Sequence, residues 1–152
     1  MIMNNDTVIR DLVENDLAAL LTLYGHLHPD DTPLPVSTDT AVLWKSICAD
    51  EHYVYIGAFV SGQLVSVCNA AVILNLTRNG RPYALVENVV THPDYRRRGY
   101  GKRIMKRIFT VCGELNCYKI MLLSNALRTE AHAFYRSLGF DDDAKKAFIL
   151  TT

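Results

Sequence analysis

The chain has 152 residues, of which 49% are apolar and 21% charged, and its formal net charge at pH 7 is zero. This size and composition are those of one ordinary globular domain, expected to cover residues 1–152. A neutral chain has no general attraction to nucleic acid or to an acidic membrane surface, and no apolar run approaches the roughly 20 residues of a membrane-spanning helix.

The four cysteines indicate the expected compartment. Cys48, Cys68, Cys112 and Cys117 form no C-x-x-C pair, and no basic region followed by an apolar one opens the sequence. A disulfide framework and a secretory leader are therefore not expected, and a reducing cytoplasm is the predicted location. No histidine–cysteine spacing is typical of a metal site, so no metal is expected.

The first third of the chain predicts one strand and two helices. Alternation over residues 7–12 is typical of a short strand, and apolar residues at helical spacing over residues 14–27 predict a helix. Three prolines between residues 29 and 35 predict a loop, because proline fits neither a helix interior nor a central strand. Ser37 is expected to cap a second helix that runs to about Ala49.

The middle of the chain predicts an antiparallel meander. Its three strands are expected over residues 53–60, 64–76 and 83–90. Ser61-Gly62 begins a tight turn between the first two strands. Asn79-Gly80 is the strongest short hairpin signal in the chain, and it is expected to join the last two.

The second half predicts helices that alternate with strands. Residues 101–112 place apolar side chains on one face and basic ones on the other, which predicts a helix, and Gly113 is a natural stop. Thr129 is expected to cap a further helix that Gly139 ends. The strands are predicted over residues 118–123 and 146–150.

The element order predicts the fold class. The order β-α-α-β-β-β-α-β-α-β combines an antiparallel meander with a crossover unit. This combination predicts an α/β fold (α+β type) with a mixed sheet and helices on both of its faces.

An arginine- and glycine-rich run lies between the predicted fourth strand and third helix. Its residues are Arg96, Arg97, Arg98, Gly99, Tyr100 and Gly101. Glycine permits positive φ angles and close approach of a ligand. Backbone N–H groups of such a turn and of the helix start, up to Lys102, can surround a phosphate, and the arginines add positive charge. The run predicts binding of a nucleotide-like pyrophosphate.

Two other interpretations of this run stay open. It is a simple solvated turn, or its arginines form a nucleic-acid patch. The neutral chain and the lack of interleaved aromatic residues argue against nucleic acid.

Two motifs together resemble the GNAT superfamily of acetyl-CoA-dependent N-acetyltransferases. Residues 96–101 match the family signature Gln/Arg-x-x-Gly-x-Gly/Ala between a strand and a helix. Residues 134–140, Phe-Tyr-Arg-Ser-Leu-Gly-Phe, match the family's aromatic pair before Leu-Gly-Phe. The element order agrees over about residues 7–150. The resemblance implies the GNAT acyl-CoA N-acyltransferase fold, with acetyl-CoA as co-substrate.

The nearest branch by residues is the glucosamine-6-phosphate N-acetyltransferase-like group. Residues 86–90 and 117–120 support this comparison. Three features depart from it: Asn88 replaces an acidic residue, residues 121–133 look longer, and residues 147–150 lack a basic residue near the sugar phosphate. We therefore infer the reaction type from this comparison, but not the identity of the substrate.

The resemblance also implies where acetyl-CoA binds. In the family, the strand before the arginine-glycine run bulges and separates from its neighbour, which frees backbone groups for the pantetheine arm. Here those groups belong to Val89, Val90 and Thr91. A freed N–H can stabilise the developing oxyanion. Asn125 is expected to add a contact to the pantetheine amides.

Two residues are expected to move protons during direct acetyl transfer to a primary amine in a ternary complex. Tyr135 occupies the family position that protonates the departing thiolate, although a purely packing tyrosine is the alternative. Glu87, on the strand leading into the cofactor site, is the candidate base, acting through water. A satisfied structural carboxylate is its alternative. A buried charge on an apolar strand needs a reason, and this favours the role as base.

The acceptor is expected to be a small molecule carrying a primary amine, with no nucleic acid or membrane as partner. His26, His28 and the acidic loop at Asp30 and Asp31 border the acceptor pocket in the family, and either acceptor contact or simple exposure stays open for them. The predicted C-terminal strand is an edge at which a homodimer can pair. The rival function is a non-catalytic acyl-CoA-binding sensor or interaction module on the same fold.

Overall fold

The computed structural model describes residues 6–152. Five strands form one mixed sheet in the order β1-β2-β3-β4-β5. The first four strands pair antiparallel in sequence order, and β5 pairs parallel to β4. The strands are β1 Thr7–Asp11, β2 Tyr53–Val60, β3 Gln63–Ile73, β4 Tyr83–Thr91 and β5 Ile120–Leu122.

Four helices cover the two faces of this sheet. They are α1 Leu17–Tyr24, α2 Thr38–Ala49, α3 Tyr100–Glu114 and α4 Thr129–Ser137. The apolar stripe of α3 packs on one face of the sheet, where Ile104, Met105 and Ile108 are fully buried, and α4 adds partly buried side chains there. The second core lies on the other face, where α1 and Trp44 of α2 are buried. The predicted mixed sheet with helices on both faces is confirmed.

Local sequence signals account for several element ends. The Ser37 hydroxyl accepts a hydrogen bond from the Thr40 N–H and caps α2, as predicted. Ser61 and Gly62 both have positive φ and join β2 to β3 as a two-residue turn. Gly139, with φ 99°, follows α4, and its N–H donates to the Arg136 carbonyl.

Two turn predictions require correction. Asn79 and Gly80 adopt the predicted left-handed backbone, but β3 and β4 separate at Ile73 and Tyr83, so the connection is a nine-residue loop. Gly113 lies inside α3 and does not stop it, because the helix continues to Glu114. One glycine in a helix weakens it without ending it.

The predicted strand over residues 146–150 is wrong. These residues form no strand, and Phe148, Ile149 and Leu150 are exposed. A strand is stable only when another strand satisfies its backbone hydrogen bonds, and this segment pairs with no other strand in residues 6–152. The observed element order therefore ends with α4.

Candidate active site

A β-bulge interrupts the pairing of β3 with β4. Val67 faces Val90 and Asn69 faces Glu87, so the single residue Cys68 lies opposite both Asn88 and Val89. Asn88 has φ 52°, a left-handed conformation that asparagine tolerates better than most residues. Its side-chain amide donates to the Asn69 side-chain oxygen over 3.0 Å, which links the bulge to β3.

The bulge coincides with the point where β4 separates from β5. These strands pair only through Ala84, Leu85 and Val86, so the rest of β4 has no partner on that side among the described residues. The His92 N–H donates to the Val65 carbonyl on β3. Since N–H directions alternate along a strand, the N–H of Thr91 points away from β3 and into the gap.

The start of α3 closes the end of this gap. Gly99 has φ 82° and Arg97 has φ 59°, so the chain reverses just before the helix. The Gly99 carbonyl accepts the first intrahelical bond, from the Arg103 N–H. The N–H groups of the helix's first turn therefore have no intrahelical acceptor, and no acidic residue lies in that turn. This end of α3 is suited to an anion.

The two glycines of the run have different roles. A Cβ on Gly99 would meet no atom within 4 Å, so glycine is favoured there by φ and not by crowding. A Cβ on Gly101 would lie 3.4 Å from the Phe134 ring and 3.7 Å from the Thr91 hydroxyl. Close packing of α3 against α4 and the end of β4 therefore depends on a small residue at Gly101.

The three arginines are exposed and point to different partners. The Arg96 side chain donates to the Thr91 carbonyl over 3.2 Å. The Arg98 guanidinium lies 5.3 Å from the ring centre of Tyr95. Arg97 lies 3.8 Å from Glu130 across solvent, a pair that contributes little to stability. The positive charge thus surrounds the start of α3.

Tyr135 lies on α4, half-buried against the core cluster that contains Cys68. Its ring contacts those of Phe134 and Phe140. Burial raises the pKa of the Tyr135 hydroxyl; Arg128 opposes this shift, and Cys68 and Glu87 add to it. The phenol therefore holds its proton more firmly than an exposed tyrosine.

Two other predicted site residues are exposed in the structure. Glu87 is exposed, so the argument from a buried charge no longer applies to it. Asn125 is also exposed, and its side-chain oxygen accepts the Leu127 N–H while its carbonyl accepts the Arg128 N–H. Asn125 therefore shapes the turn into α4. Its contact with a ligand stays a prediction, as does the role of Glu87 as base.

A cavity of about 310 Å³ opens between α1 and α2 and reaches the bulge at Asn88. The hydroxyl of Tyr24 is buried beside it and makes no hydrogen bond within residues 6–152. Burial raises the pKa of Tyr24. His28 and Asp31 line this cavity, whereas His26 packs its ring against His92 at 4.7 Å.

Sequence analysis missed Tyr24 and did not use Asn88 as a site residue. Tyr24 belongs to the apolar stripe of its helix, so the sequence gives no signal that separates it from a packing residue. An asparagine in the middle of the apolar run 83–90 is a signal for a bulge. The cavity itself has no sequence signal, because its walls come from residues far apart in the chain.

The described residues contain neither a metal-binding cluster nor a membrane-spanning helix. In the described part of the chain, no group of three or more His, Cys, Asp or Glu side chains can hold a metal ion. None of the helices described above combines the length and apolar character needed to cross a bilayer.

Comparisons with known proteins are consistent with one family. A sequence profile of the acetyltransferase (GNAT) family matches residues 18–140. A glucosamine 6-phosphate N-acetyltransferase from Trypanosoma brucei brucei is 28% identical over 144 residues, which cover 89% of each sequence.

Solved structures resemble the whole described fold. A proposed acetyltransferase from Agrobacterium tumefaciens str. C58 has a TM-score of 0.89 and 34% identity, covering 95% of this chain and 99% of that one. An acetyltransferase from Trypanosoma brucei has a TM-score of 0.82 and 26% identity, covering 96% of this chain and 100% of that one.

Proposed function

The chain belongs to the acetyltransferase (GNAT) family and is an acyltransferase, and we propose that it moves an acetyl group from acetyl-CoA directly to the primary amine of a small molecule. Acetyl-CoA is the co-substrate that the family uses. The observation that carries the proposal is the gap between β4 and β5, which ends at the unpaired amides of α3.

The start of α3 fits the pyrophosphate of coenzyme A. Its free N–H groups, its open space above Gly99 and its lack of acidic residues all favour an anion. Gly99 and Arg97 supply the left-handed backbone that directs these groups outward. In the proposal, the amides of residues 97–102 hold the phosphates, and the neighbouring arginines add charge.

The bulged part of β4 fits the pantetheine arm and the thioester. We assign to the backbone groups of Val89 and Thr91 that face away from β3, together with the neighbouring Val90, the task of aligning the arm along the gap. An N–H that points at the thioester oxygen stabilises the developing negative charge, an effect of about 3 kcal/mol per donor in other acyl transfers. Asn125, three residues after the end of β5, is proposed as a further contact to the arm.

The proposed reaction needs two proton movements. The amine nitrogen attacks the thioester carbonyl carbon, the C–N bond forms and the C–S bond breaks. Glu87, through water, takes the first proton from the ammonium group, because only the neutral amine is nucleophilic. Tyr135 donates its proton to the departing thiolate, and the second proton of the attacking nitrogen replaces it, directly or through solvent, as the amide forms.

The acceptor class is proposed on the chemistry of the site. The relative from Trypanosoma brucei brucei is named for an amino sugar phosphate, which is a small primary amine. The enclosed cavity beside the bulge has the size of a small-molecule pocket, roughly 300–1,000 Å³. We propose a small amine on this basis, with the cytoplasm as the expected compartment because the cysteines are free thiols.

The test is release of free thiol from acetyl-CoA in the presence of a panel of amines: alkylamines, arylalkylamines, amino sugars, amino acids and polyamines. We expect thiol release that depends on at least one amine and yields its N-acetyl product by mass spectrometry. Binding of acetyl-CoA by calorimetry without transfer to any amine would contradict the enzyme and favour the non-catalytic binding module.

A further inference from the structure

The cavity between α1 and α2 reaches β4 at the bulge. Asn88 lines the cavity and also forms the bulge that separates β4 from its neighbour. A molecule that fills this cavity therefore reaches Asn88. The next residue is Val89, whose backbone is proposed to contact the thioester. Only the acceptor needs such a position, since the cofactor approaches from the α3 side.

The walls of this cavity are mainly apolar. Trp44 and Tyr55 meet edge to face, with ring centres 5.0 Å apart, and form one rigid side. Aliphatic side chains from both helices and from the loop between them form most of the rest. They include Leu17, Leu20, Leu21, Leu34, Leu43 and Ile47.

The charges around the cavity disfavour an anionic ligand. Asp31 is a carboxylate, and no lysine or arginine is among the residues of the described chain that line the cavity. The start of α2 offers no anion site either, because Ser37 caps it and Asp39 lies in its first turn. The Thr40 hydroxyl already donates to the Pro35 carbonyl. A phosphate or carboxylate in the apolar body of this cavity would have no lysine or arginine to pair with, and burying an anion without such a partner is costly.

The end of the cavity at the bulge is polar. The Tyr24 hydroxyl is buried there beside the Asn88 side chain and makes no short hydrogen bond within residues 6–152, whereas buried hydroxyls are normally paired. An amine that enters the cavity offers both a donor and, once deprotonated, an acceptor. The cavity thus combines an apolar body with one polar end.

We propose that the acceptor is a primary amine on an uncharged alkyl or aryl body, bound with this body between α1 and α2 and its nitrogen at Tyr24 and Asn88. This inference rests on the proposed acetyl transfer. Asp31 attracts the ammonium form as it approaches and repels anionic competitors. The chain therefore differs in acceptor class from the relative named for glucosamine 6-phosphate.

The first test compares matched amines as acceptors. Hexylamine and 6-aminohexanoate have the same chain length and differ by the distal carboxylate. We expect kcat/KM for hexylamine to exceed that for 6-aminohexanoate, and that for glucosamine 6-phosphate, by at least about tenfold, because a buried unpaired charge is penalised. 2-Phenylethylamine against 4-(2-aminoethyl)benzoate, which differ by a carboxylate at the far end of the ring, repeats the comparison with an aryl body.

The second test places a positive charge in the cavity wall. Leu43 and Val42 are neighbours on α2 and are 56% and 61% exposed, but only Leu43 lines the cavity. In L43R we expect the KM for hexylamine to rise and that for 6-aminohexanoate to fall. In V42R, the matched control, the ratio of the KM values for the two amines should stay at the wild-type value.

The outcomes separate this inference from the proposed function. Efficient acetylation of glucosamine 6-phosphate or 6-aminohexanoate over hexylamine would overturn the apolar acceptor while leaving acetyl transfer intact. Thermal stabilisation by hexylamine that L43R removes and V42R keeps, with no transfer to any amine, would support the cavity and overturn the transferase. An unchanged preference in L43R would overturn the placement of the acceptor between α1 and α2.

Discussion

Tyr135 carries a phenol hydroxyl on a half-buried ring. Burial is the largest cause that raises its pKa, and the nearby Cys68 and Glu87 add to the effect while Arg128 opposes it. A raised pKa keeps the phenol protonated to higher pH than an exposed tyrosine. The residue is therefore in the form that can donate a proton throughout the neutral range.

Replacing this hydroxyl should affect turnover more than binding. In Y135F we expect kcat to fall by about 10²-fold or more, the lower end of general acid effects, with the Kd of acetyl-CoA nearly unchanged. In the wild type, kcat should decline only at alkaline pH above the ordinary tyrosine value, and Y135F should lose this decline. Steady-state kinetics as a function of pH measures kcat, and calorimetry measures the Kd of acetyl-CoA.

The matched control removes a hydroxyl far from the gap. Tyr53 is exposed at the start of β2, so Y53F should retain wild-type kcat at every pH. Wild-type turnover in Y135F would exclude Tyr135 as the acid.

At the scale of elements, the site is the junction of β4 and α3. The bulge at Asn88 ends regular pairing with β3, and the short β5 leaves the end of β4 open on its other side. The left-handed residue Gly99 then turns the chain so that α3 begins against that opening. The free amides of a strand and of a helix start thus face the same gap.

The turn before α3 can be tested with a pair of glycines. Gly99 and Gly62 have φ of 82° and 80°, and a Cβ at either would meet no atom within 4 Å. We expect G99V and G62V to lose similar stability, of order 1–3 kcal/mol, because valine is strained at positive φ. Only G99V should lose affinity for acetyl-CoA. Thermal denaturation and calorimetry distinguish the two effects, and retained affinity in G99V would reject the amide site.

At the scale of the molecule, the sheet separates two hydrophobic cores. The core under α3 supports the proposed cofactor side, and the core under α1 and α2 surrounds the cavity. The sheet edge at β5 and the C-terminal tail are among the apolar parts left exposed. Met121 and Leu123 are exposed at this edge, and Phe148 and Leu150 are 90% and 89% exposed.

The exposed tail leads to a prediction about assembly. Because an open sheet edge and an exposed apolar segment tend to pair, we propose a homodimer in which residues 146–150 contact a second copy. Removal of residues 145–152 should convert it to a monomer with unchanged circular dichroism, measured by light scattering. F148D in the full chain should do the same. An unchanged mass in both variants would exclude the tail from assembly.

The sequence determined the features that depend on neighbouring residues. Apolar periodicity marked the helices and strands, Ser37 and the Ser61-Gly62 turn fixed element ends, and the two motifs around residues 96–101 and 134–140 indicated the family that the comparisons confirm. These signals act within one or two turns of the chain, so they can be recognised without a fold.

The tertiary structure alone decided the features that depend on distant contacts. The pairing of β3 with β4 places the bulge at Asn88, and the packing of α1 and α2 brings Tyr24 and Trp44 to the same cavity. Strand pairing also leaves residues 146–150 without a partner among the described strands, although a short apolar run is typical of a strand. Register, exposure and cavity shape arise from which surfaces pack together, and local patterns contain no record of that choice.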